Sequence, residues 1–268
     1  MAALSVVALL SSGLLVNIGI VSAYQAGYQI NNYMVITVPT MDGQWTTDDE
    51  WTDVDMAHQM DGDLDVTFRL KFDGNYPSWV NEYYLIEFFD DTTEDAEDYL
   101  QICYAAPSGS VTQTDPMGGT TPQTDCLRID WVGHDQSGLT VYRGDGSGWV
   151  EFTDYTWPDH IEIVDSISPS PSDSNPHLII EIKLEHIYLD IGTYQWIRLA
   201  VYDESNSGAG VQAWPDSSVN APDEWGWSDA VRESVPEDLT FAVMVFLSSV
   251  SLMVGSHYLR KRSRKLEK

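Results

Sequence analysis

Alternation of apolar and polar residues is the strongest pattern in the middle of the chain. In DVTFRLKF, residues 65–72, apolar side chains occupy every second position and polar side chains lie between them. HLIIEIKL, residues 177–184, shows a similar alternation. Because successive side chains of a strand point to opposite faces, this period of two predicts strands with one buried face.

Further segments are rich in the β-branched and aromatic residues that strands favour. They are YMVITV, EYYLIEFF, DYLQICYA, CLRIDWVG, LTVYRG, GWVEFT, HIEIVDSI and QWIRLAVYD. Turn-forming residues separate nearly all of them, as in Asp73-Gly74-Asn75 and in the Ser-Pro-Ser-Pro run at 168–171. Only EHIYLD, residues 185–190, suggests a helical turn. We therefore expect an all-β fold, a single antiparallel β-sandwich of jelly-roll type.

Both ends of the chain are apolar and predict a membrane-anchored protein. Residues 1–23 lack charged side chains and end in a small-residue pattern suited to signal-peptide cleavage, with an uncleaved anchor as the alternative. Residues 239–259 lack Asp, Glu, Lys and Arg, and at about 1.5 Å per residue a helix of this length crosses a bilayer. A buried C-terminal helix is the alternative there. By the positive-inside rule the basic tail 260–268 stays in the cytoplasm, so residues 24–238 form a domain outside the cell.

A short pattern before the second apolar run bears on processing of the C terminus. Val235-Pro236-Glu237, followed by the apolar span and the basic cluster, is similar to prokaryotic sorting tails that sortase-like membrane proteases cut. The alternative is a permanent single-pass anchor.

The charge of the chain excludes nucleic acid as a partner. Asp and Glu number 42 against 13 Lys and Arg, which makes the formal net charge −29 at pH 7. Such a field repels nucleic acid and anionic lipid, and it suits a protein that stays soluble in salt or holds divalent cations. Aromatic residues make up 12% of the chain, which favours a folded core over a disordered acidic stalk.

Two acidic runs are candidates for calcium binding, because calcium takes six to eight oxygen ligands from flexible turns. DDTTEDAED, residues 90–98, lies between two predicted strands, and Asp90, Asp91 and Asp95 are its candidate ligands. DGDLD, residues 61–65, is the second run. Neither has EF-hand spacing, and solvated acidic loops are the alternative interpretation of both.

The two cysteines, Cys103 and Cys126, lie in neighbouring predicted strands. A location outside the cell permits a disulfide, and closing a loop of this size contributes about 3 kcal/mol in the chain-entropy model. We therefore expect a bridge between them. Two buried free thiols are the alternative.

Signatures of catalysis are missing from the sequence. It has no Gly-x-Ser-x-Gly elbow, no His-Glu-x-x-His pair and no phosphate-binding glycine loop before a helix. The histidines of the predicted outer domain are scattered along it. The sequence therefore favours a protein that is not an enzyme.

Three segments resemble the family-9 carbohydrate-binding modules and the DOMON-like sandwich domains around them. They are MDGQWTTDDEW at residues 41–51, NEYYLIEFFDDT at residues 81–92, and the closing segment at residues 197–231. The resemblance implies a calcium-stabilised sandwich that grips a sugar between two tryptophan faces. Flat aromatic rings stack on the C–H faces of a pyranose, while nearby carboxylates and amides bind its hydroxyls.

The resemblance also implies roles for particular residues. Trp214 matches one of the two sugar-stacking tryptophans, at a position that we expect at the surface. The second position carries Asp95, so Trp79 in the loop GNYPSWV is the candidate for the other face. Asp203, at the end of the strand before Trp214, is a candidate carboxylate for sugar hydroxyls. Trp225 and Trp227 are expected to pack in the last strand.

Our leading hypothesis is a membrane-anchored cell-surface protein that binds a polysaccharide or glycan. The alternative is a structural or interaction domain of the prokaryotic cell surface that contacts other surface proteins without any small ligand. Some DOMON-like domains bind haem, and Met56, His58 and Met60 would be the candidate ligands here.

Overall fold

The computed structural model describes residues 28–35, 37–47, 49–54, 58–75, 78–105, 121–124, 126–189, 194–216 and 225–231. The predicted signal peptide, the apolar span 239–259 and the basic tail lie outside these residues. Among the residues that are described, no helix is long and apolar enough to cross a membrane.

Strands dominate the described part of the chain, and the prediction of an all-β fold is confirmed. In chain order the elements are β1 (Gln29–Met34), β2 (His58–Gln59), β3 (Val66–Asn75), β4 (Ser78–Phe88), β5 (Tyr99–Ala105), β6 (Cys126–Val132), β7 (Leu139–Gly144), β8 (Trp149–Glu151), β9 (Ile161–Ser168), β10 (His177–Glu185), α1 (His186–Leu189), β11 (Tyr194–Tyr202), β12 (Gln212–Trp214) and β13 (Gly226–Val231). Each predicted strand segment overlaps an observed strand, and the predicted helical turn is the short α1.

These strands form one mixed sheet. Its order is β8-β7-β6-β5-β11-β13-β1-β3-β4-β10-β9, with β12 paired to β11 and β2 paired to β3. The pairs are antiparallel except at β1, which runs parallel to both of its neighbours, β13 and β3. The expectation of a purely antiparallel sheet is therefore wrong at β1. The first strand inserts between the last strand and β3 and runs in the direction of both.

The sheet curls so that its two halves share one core. Strands β9, β10, β4 and β3 form one half, and β11, β5, β6 and β7 form the other; both turn alternate side chains into one buried cluster. Tyr84 of β4 and Tyr104 of β5 join the halves directly. Their ring centroids are 6.4 Å apart, and the Tyr104 hydroxyl donates a hydrogen bond to that of Tyr84.

Apolar clusters also cover the outer faces of both halves. The segment before β2 packs Trp45 and Trp51 over β4 and β10. On the other half, Trp196 and Trp227 pack edge to face with ring centroids 4.6 Å apart. Trp225 joins that cluster, so both tryptophans flanking Gly226 pack around the last strand as expected.

The predicted disulfide is absent. Cys103 and Cys126 are both buried, and no disulfide joins them. In the β5–β6 ladder Cys126 lies opposite Ala105, so the two cysteines are diagonal neighbours on one face. Diagonal neighbours lie roughly 7–8 Å apart, whereas a disulfide spans a Cα separation of about 4.4–6.8 Å. The register of the two strands therefore opposes the bridge.

Candidate metal centre

Three aspartates meet at one end of the sheet. Asp98 directly precedes β5 and Asp203 directly follows β11. Because Tyr99 pairs with Tyr202 in the antiparallel β5–β11 ladder, the two aspartates lie side by side just beyond its last pair. Asp91 reaches them from the turn after β4, which crosses from one half of the sheet to the other.

The three carboxylates are close together and shielded from water. Each offers one oxygen atom, and these oxygens all lie within 4.8 Å of one another. The exposed fractions of Asp91, Asp98 and Asp203 are 1%, 6% and 1%. Like charges at this separation repel each other strongly when they are buried, so a proton or a cation stabilises the arrangement.

Asp91 is the least satisfied of the three. Its Oδ1 accepts hydrogen bonds from the Thr93 backbone N–H at 2.9 Å and from the Thr93 hydroxyl at 3.1 Å. Its Oδ2 is buried and has no hydrogen-bond partner among the described residues. Burial raises the pKa of Asp91 to about 6, and the charges of Asp203 and Asp98 add to that rise. A buried carboxylate oxygen normally has a donor or a cation beside it.

Backbone N–H groups orient the other two carboxylates. Asp98 Oδ1 accepts from Glu204 N–H at 2.9 Å, and its Oδ2 accepts from Asp95 N–H at 3.0 Å. Asp203 Oδ1 accepts from Asn206 N–H at 3.0 Å and from the Ser205 hydroxyl at 2.7 Å. These hydrogen bonds, all within the protein, fix both side chains at the strand ends independently of any ligand.

His134, in the turn after β6, supports the centre from the side. Its Nε2 lies 3.0 Å from Asp98 Oδ2 and 3.0 Å from the Asp95 carbonyl oxygen. Its Nδ1 hydrogen-bonds to the Asp165 carboxylate on β9. Burial lowers the pKa of His134, but the hydrogen bonds to Asp165 and Asp98 outweigh that effect and raise it overall. The imidazole therefore links Asp98 to the opposite half of the sheet.

The predicted calcium ligands are only partly brought together. Asp91 belongs to the cluster, whereas the side chain of Asp90 is exposed. Asp95 is half-buried, and its Oδ2 lies 2.8 Å from the Thr93 hydroxyl, whose single proton it shares with Asp91. Its backbone N–H supports Asp98. The sequence pattern gives Asp98 no ligand role, and the resemblance predicts a sugar-binding role for Asp203. Their positions at strand boundaries were visible in the sequence, but the pairing of β5 with β11 was not.

The candidate sugar-binding residues do not form one surface. Trp214 is 5% exposed, and its ring packs edge-on against Phe68 at 5.3 Å and near Tyr28 at 5.4 Å between centroids. The expected surface position of Trp214 is therefore wrong, because β12 places its indole inside the shared core. Trp79 lies near the start of β4, at the opposite end of that strand from Asp91, and its side chain lies outside the description.

The two candidate haem ligands that the structure describes lie in different environments. Met60 is 2% exposed and belongs to the shared core. His58 is half-buried on β2, with its ring centroid 5.4 Å from that of Phe68. Met56 lies outside the described residues.

Comparison with known proteins adds no family to this picture. No protein-family model, no curated protein and no solved structure matches the chain. The resemblance to carbohydrate-binding modules therefore rests on the three sequence segments. The geometry of the carboxylate cluster is the firmest basis for assigning a function.

Proposed function

We propose that this chain is a non-catalytic cell-surface domain, a β-sandwich anchored in the membrane, whose carboxylate cluster binds a structural calcium ion. The observation that carries the proposal is the meeting of three buried carboxylates, those of Asp91, Asp98 and Asp203. In addition, Asp91 Oδ2 has no hydrogen-bond partner in the described part of the chain. A cation in the cluster would satisfy that oxygen and relieve the repulsion among the three carboxylates.

Calcium fits these donors better than other common metals. All three donors are carboxylate oxygens, which suit hard cations rather than zinc or copper. Oxygens bound to one calcium ion, each about 2.4 Å from it, lie at most about 4.8 Å apart, so the spacing of the three carboxylates permits calcium. Magnesium requires a tighter octahedron at about 2.0–2.1 Å, and water molecules would complete the larger and more flexible coordination of calcium.

The position of the cluster indicates what the ion does. It would bind the turn after β4 to the start of β5 and the end of β11, and thereby connect the two halves of the curled sheet at this end. Extracellular modules bind calcium with dissociation constants of about 10⁻⁴–10⁻³ M. We expect an affinity in that range, so that the ion is bound outside the cell and stabilises the exported domain.

A calcium titration of the full chain in detergent, after removal of metal with EGTA, tests the proposal. We expect saturable binding of one ion and a rise in melting temperature, with a weaker response to magnesium. The Asp91→Asn/Asp203→Asn double variant should lose both responses. Asp90→Asn is the matched control, because Asp90 is an exposed neighbour of the same run. The proposal fails if wild type shows no response, or if the double variant responds equally.

A second proposal is that the domain binds a glycan on the outer face of β6, β7 and β8. The Arg128 guanidinium lies 4.6 Å from the ring centroid of Tyr142 and 6.0 Å from that of Trp149, and these three side chains are half-buried. Arg128 also forms a salt bridge with Asp130. Partly exposed aromatic rings beside paired charges support stacking on a sugar with hydrogen bonds to its hydroxyls.

A glycan array followed by fluorescence titration tests this second proposal. Trp149→Ala should weaken binding at least tenfold, whereas Val150→Ala, an exposed neighbour on the same strand, should bind as wild type does. If no glycan binds the wild-type protein, a structural or interaction role at the cell surface becomes the better proposal.

A further inference from the structure

A second buried polar cluster lies inside the fold, at the end of the sheet opposite the carboxylate cluster. Its centre is Glu82, near the start of β4, which is fully buried. Asn32 Nδ2 and Gln195 Nε2 donate to Glu82 Oε1 at 2.6 and 2.7 Å. His186 Nε2 lies 3.3 Å from Glu82 Oε2. The four side chains come from β1, β4, α1 and β11, so the cluster exists only in the folded sheet.

Glu82 determines how the two amides are oriented. Because both NH₂ groups donate to its carboxylate, the amide oxygens of Asn32 and Gln195 point elsewhere. Rotating either amide by half a turn would bring its oxygen against the Glu82 carboxylate, which disfavours that orientation. Asn32 Oδ1 and Gln195 Oε1 are both buried and have no hydrogen-bond partner among the described residues.

Ser228 adds a third oxygen of the same kind. It lies on β13, which runs between β11 and β1, and it is directly opposite Gln195 in the ladder. Its Oγ is also buried and without a partner in the described part of the chain. Three adjacent strands therefore each contribute one buried oxygen without a partner among the described residues, and two of these oxygens belong to the amides that donate to Glu82. Each such atom lowers stability unless something binds it.

The charge of Glu82 decides between the two simplest occupants. A water molecule could donate to both amide oxygens, but it would bring no positive charge to the buried carboxylate, whose ion pair with His186 exists only when that imidazole carries a proton. A cation satisfies the three oxygens and also provides that charge. The ligand oxygens here are neutral and only one carboxylate lies nearby, so an ion with a single positive charge balances the charge of this site. A divalent ion is better suited to the three carboxylates at the other end of the sheet.

We propose that a partly dehydrated monovalent cation, sodium or potassium, binds between Asn32 Oδ1, Gln195 Oε1 and Ser228 Oγ, with Glu82 as its counter-charge. The ion would connect β1, β13 and β11 where the parallel and antiparallel parts of the sheet meet. This site does not depend on the proposed calcium site, because it uses different residues at the other end of the strands.

Thermal unfolding of the full chain under saturating calcium tests this cation site. Sodium chloride and potassium chloride are compared with tetramethylammonium chloride at equal ionic strength, so that general screening of the acidic surface is matched. We expect a rise in melting temperature of roughly 3 °C or more in the better metal chloride. Gln195→Met and Ser228→Ala should lose that rise. Ser168→Ala is the control, because Ser168 Oγ is also buried and lacks a partner among the described residues, but lies on β9.

Crystals grown with rubidium or thallium salts locate the ion directly. An anomalous peak between the three oxygens supports the proposal, and the relative occupancy in potassium and sodium distinguishes the two ions. Density at this position without anomalous signal identifies water and overturns the proposal. Equal melting temperatures in all three chlorides also overturn it. The wild-type crystals remain decisive if the Gln195→Met variant does not fold.

Discussion

Asp98 and Asp203 lie side by side one step beyond the Tyr99–Tyr202 pair, and Asp98 Oδ1 accepts a hydrogen bond from Glu204 N–H at 2.9 Å. The backbone after β11 thus holds the carboxylate that precedes β5. With Asp91 beside them, this concentrates negative charge where both halves of the sheet end. The relationship gives the domain a point at which a cation would affect the stability of the whole fold.

The Asp91→Asn variant should show whether Asp91 binds a metal ion or serves only as a structural carboxylate. Without calcium we expect the variant to be more stable than wild type by about 1 kcal/mol, because it removes one of three repelling charges. Added calcium should stabilise the variant only slightly but wild type strongly, so that wild type becomes the more stable protein when calcium is present. Calorimetry with EGTA and with excess calcium measures both states. A variant that is less stable than wild type in EGTA would contradict this account.

The Trp214→Ala variant should lose stability through cavity formation. Because the indole is packed in the shared core, we expect a loss of about 3–5 kcal/mol in the free energy of unfolding. Trp149→Ala, at a half-buried position on β8, should lose far less. Urea denaturation of the two variants provides the comparison. Equal, small losses would show that Trp214 lies at the surface after all.

Substitution by alanine should affect stability differently at two glycines. A Cβ at Gly226 would overlap the ring of Trp214, whereas a Cβ at Gly148 would have no atom within 4 Å. We therefore expect Gly226→Ala to cost about 1–3 kcal/mol of stability through overpacking. Gly148→Ala should be nearly neutral. The two melting temperatures decide the matter, and a neutral Gly226→Ala would refute the close packing of β12 on β13.

Glu181 should make stability depend on pH. Its carboxylate accepts hydrogen bonds from the backbone N–H groups of Asp42 at 3.0 Å and Gly43 at 2.9 Å, and from Trp51 Nε1 at 3.1 Å. Burial raises the pKa of Glu181 from 4.5 to about 7. As pH rises above about 4.5, the unfolded chain releases this proton first, so stability falls until about pH 7 and then levels off. The total change from this one group is up to about 3 kcal/mol.

The Glu181→Gln variant isolates that change. Its free energy of unfolding is measured beside wild type at several pH values from 4 to 8. The difference between the two proteins should shift steadily in favour of the variant up to about pH 7 and stay constant beyond it. Parallel curves throughout would show that Glu181 titrates normally.

The cysteines should behave as inaccessible, reduced thiols. Both are buried, and burial raises the pKa of Cys103 to about 12, which suppresses the reactive thiolate. Native protein should therefore react very slowly with a thiol reagent such as DTNB. After unfolding without reductant, two thiols per chain should react at once. No reaction after unfolding would demonstrate a disulfide.

Local pattern was sufficient to locate the strands, because the period of two and the turn residues act within a few positions. DVTFRLKF and HLIIEIKL became β3 and β10 at nearly the predicted bounds. The same reasoning found the acidic run that supplies Asp91 and Asp98, but it assigned ligand roles to the exposed Asp90 and to the supporting Asp95. A run of acids does not by itself indicate which side chains turn inward.

By itself the sequence determined an all-β fold, a strongly acidic surface and the positions of its strands, since composition and short-range alternation specify these. Only the tertiary structure decided which strands pair: β1 inserts parallel between β13 and β3, and β5 pairs with β11. That pairing joined Asp98 to Asp203, buried Trp214, and offset Cys103 from Cys126. These three features depend on contacts between strands that are far apart in the chain. No local sequence pattern encodes the register of such strands.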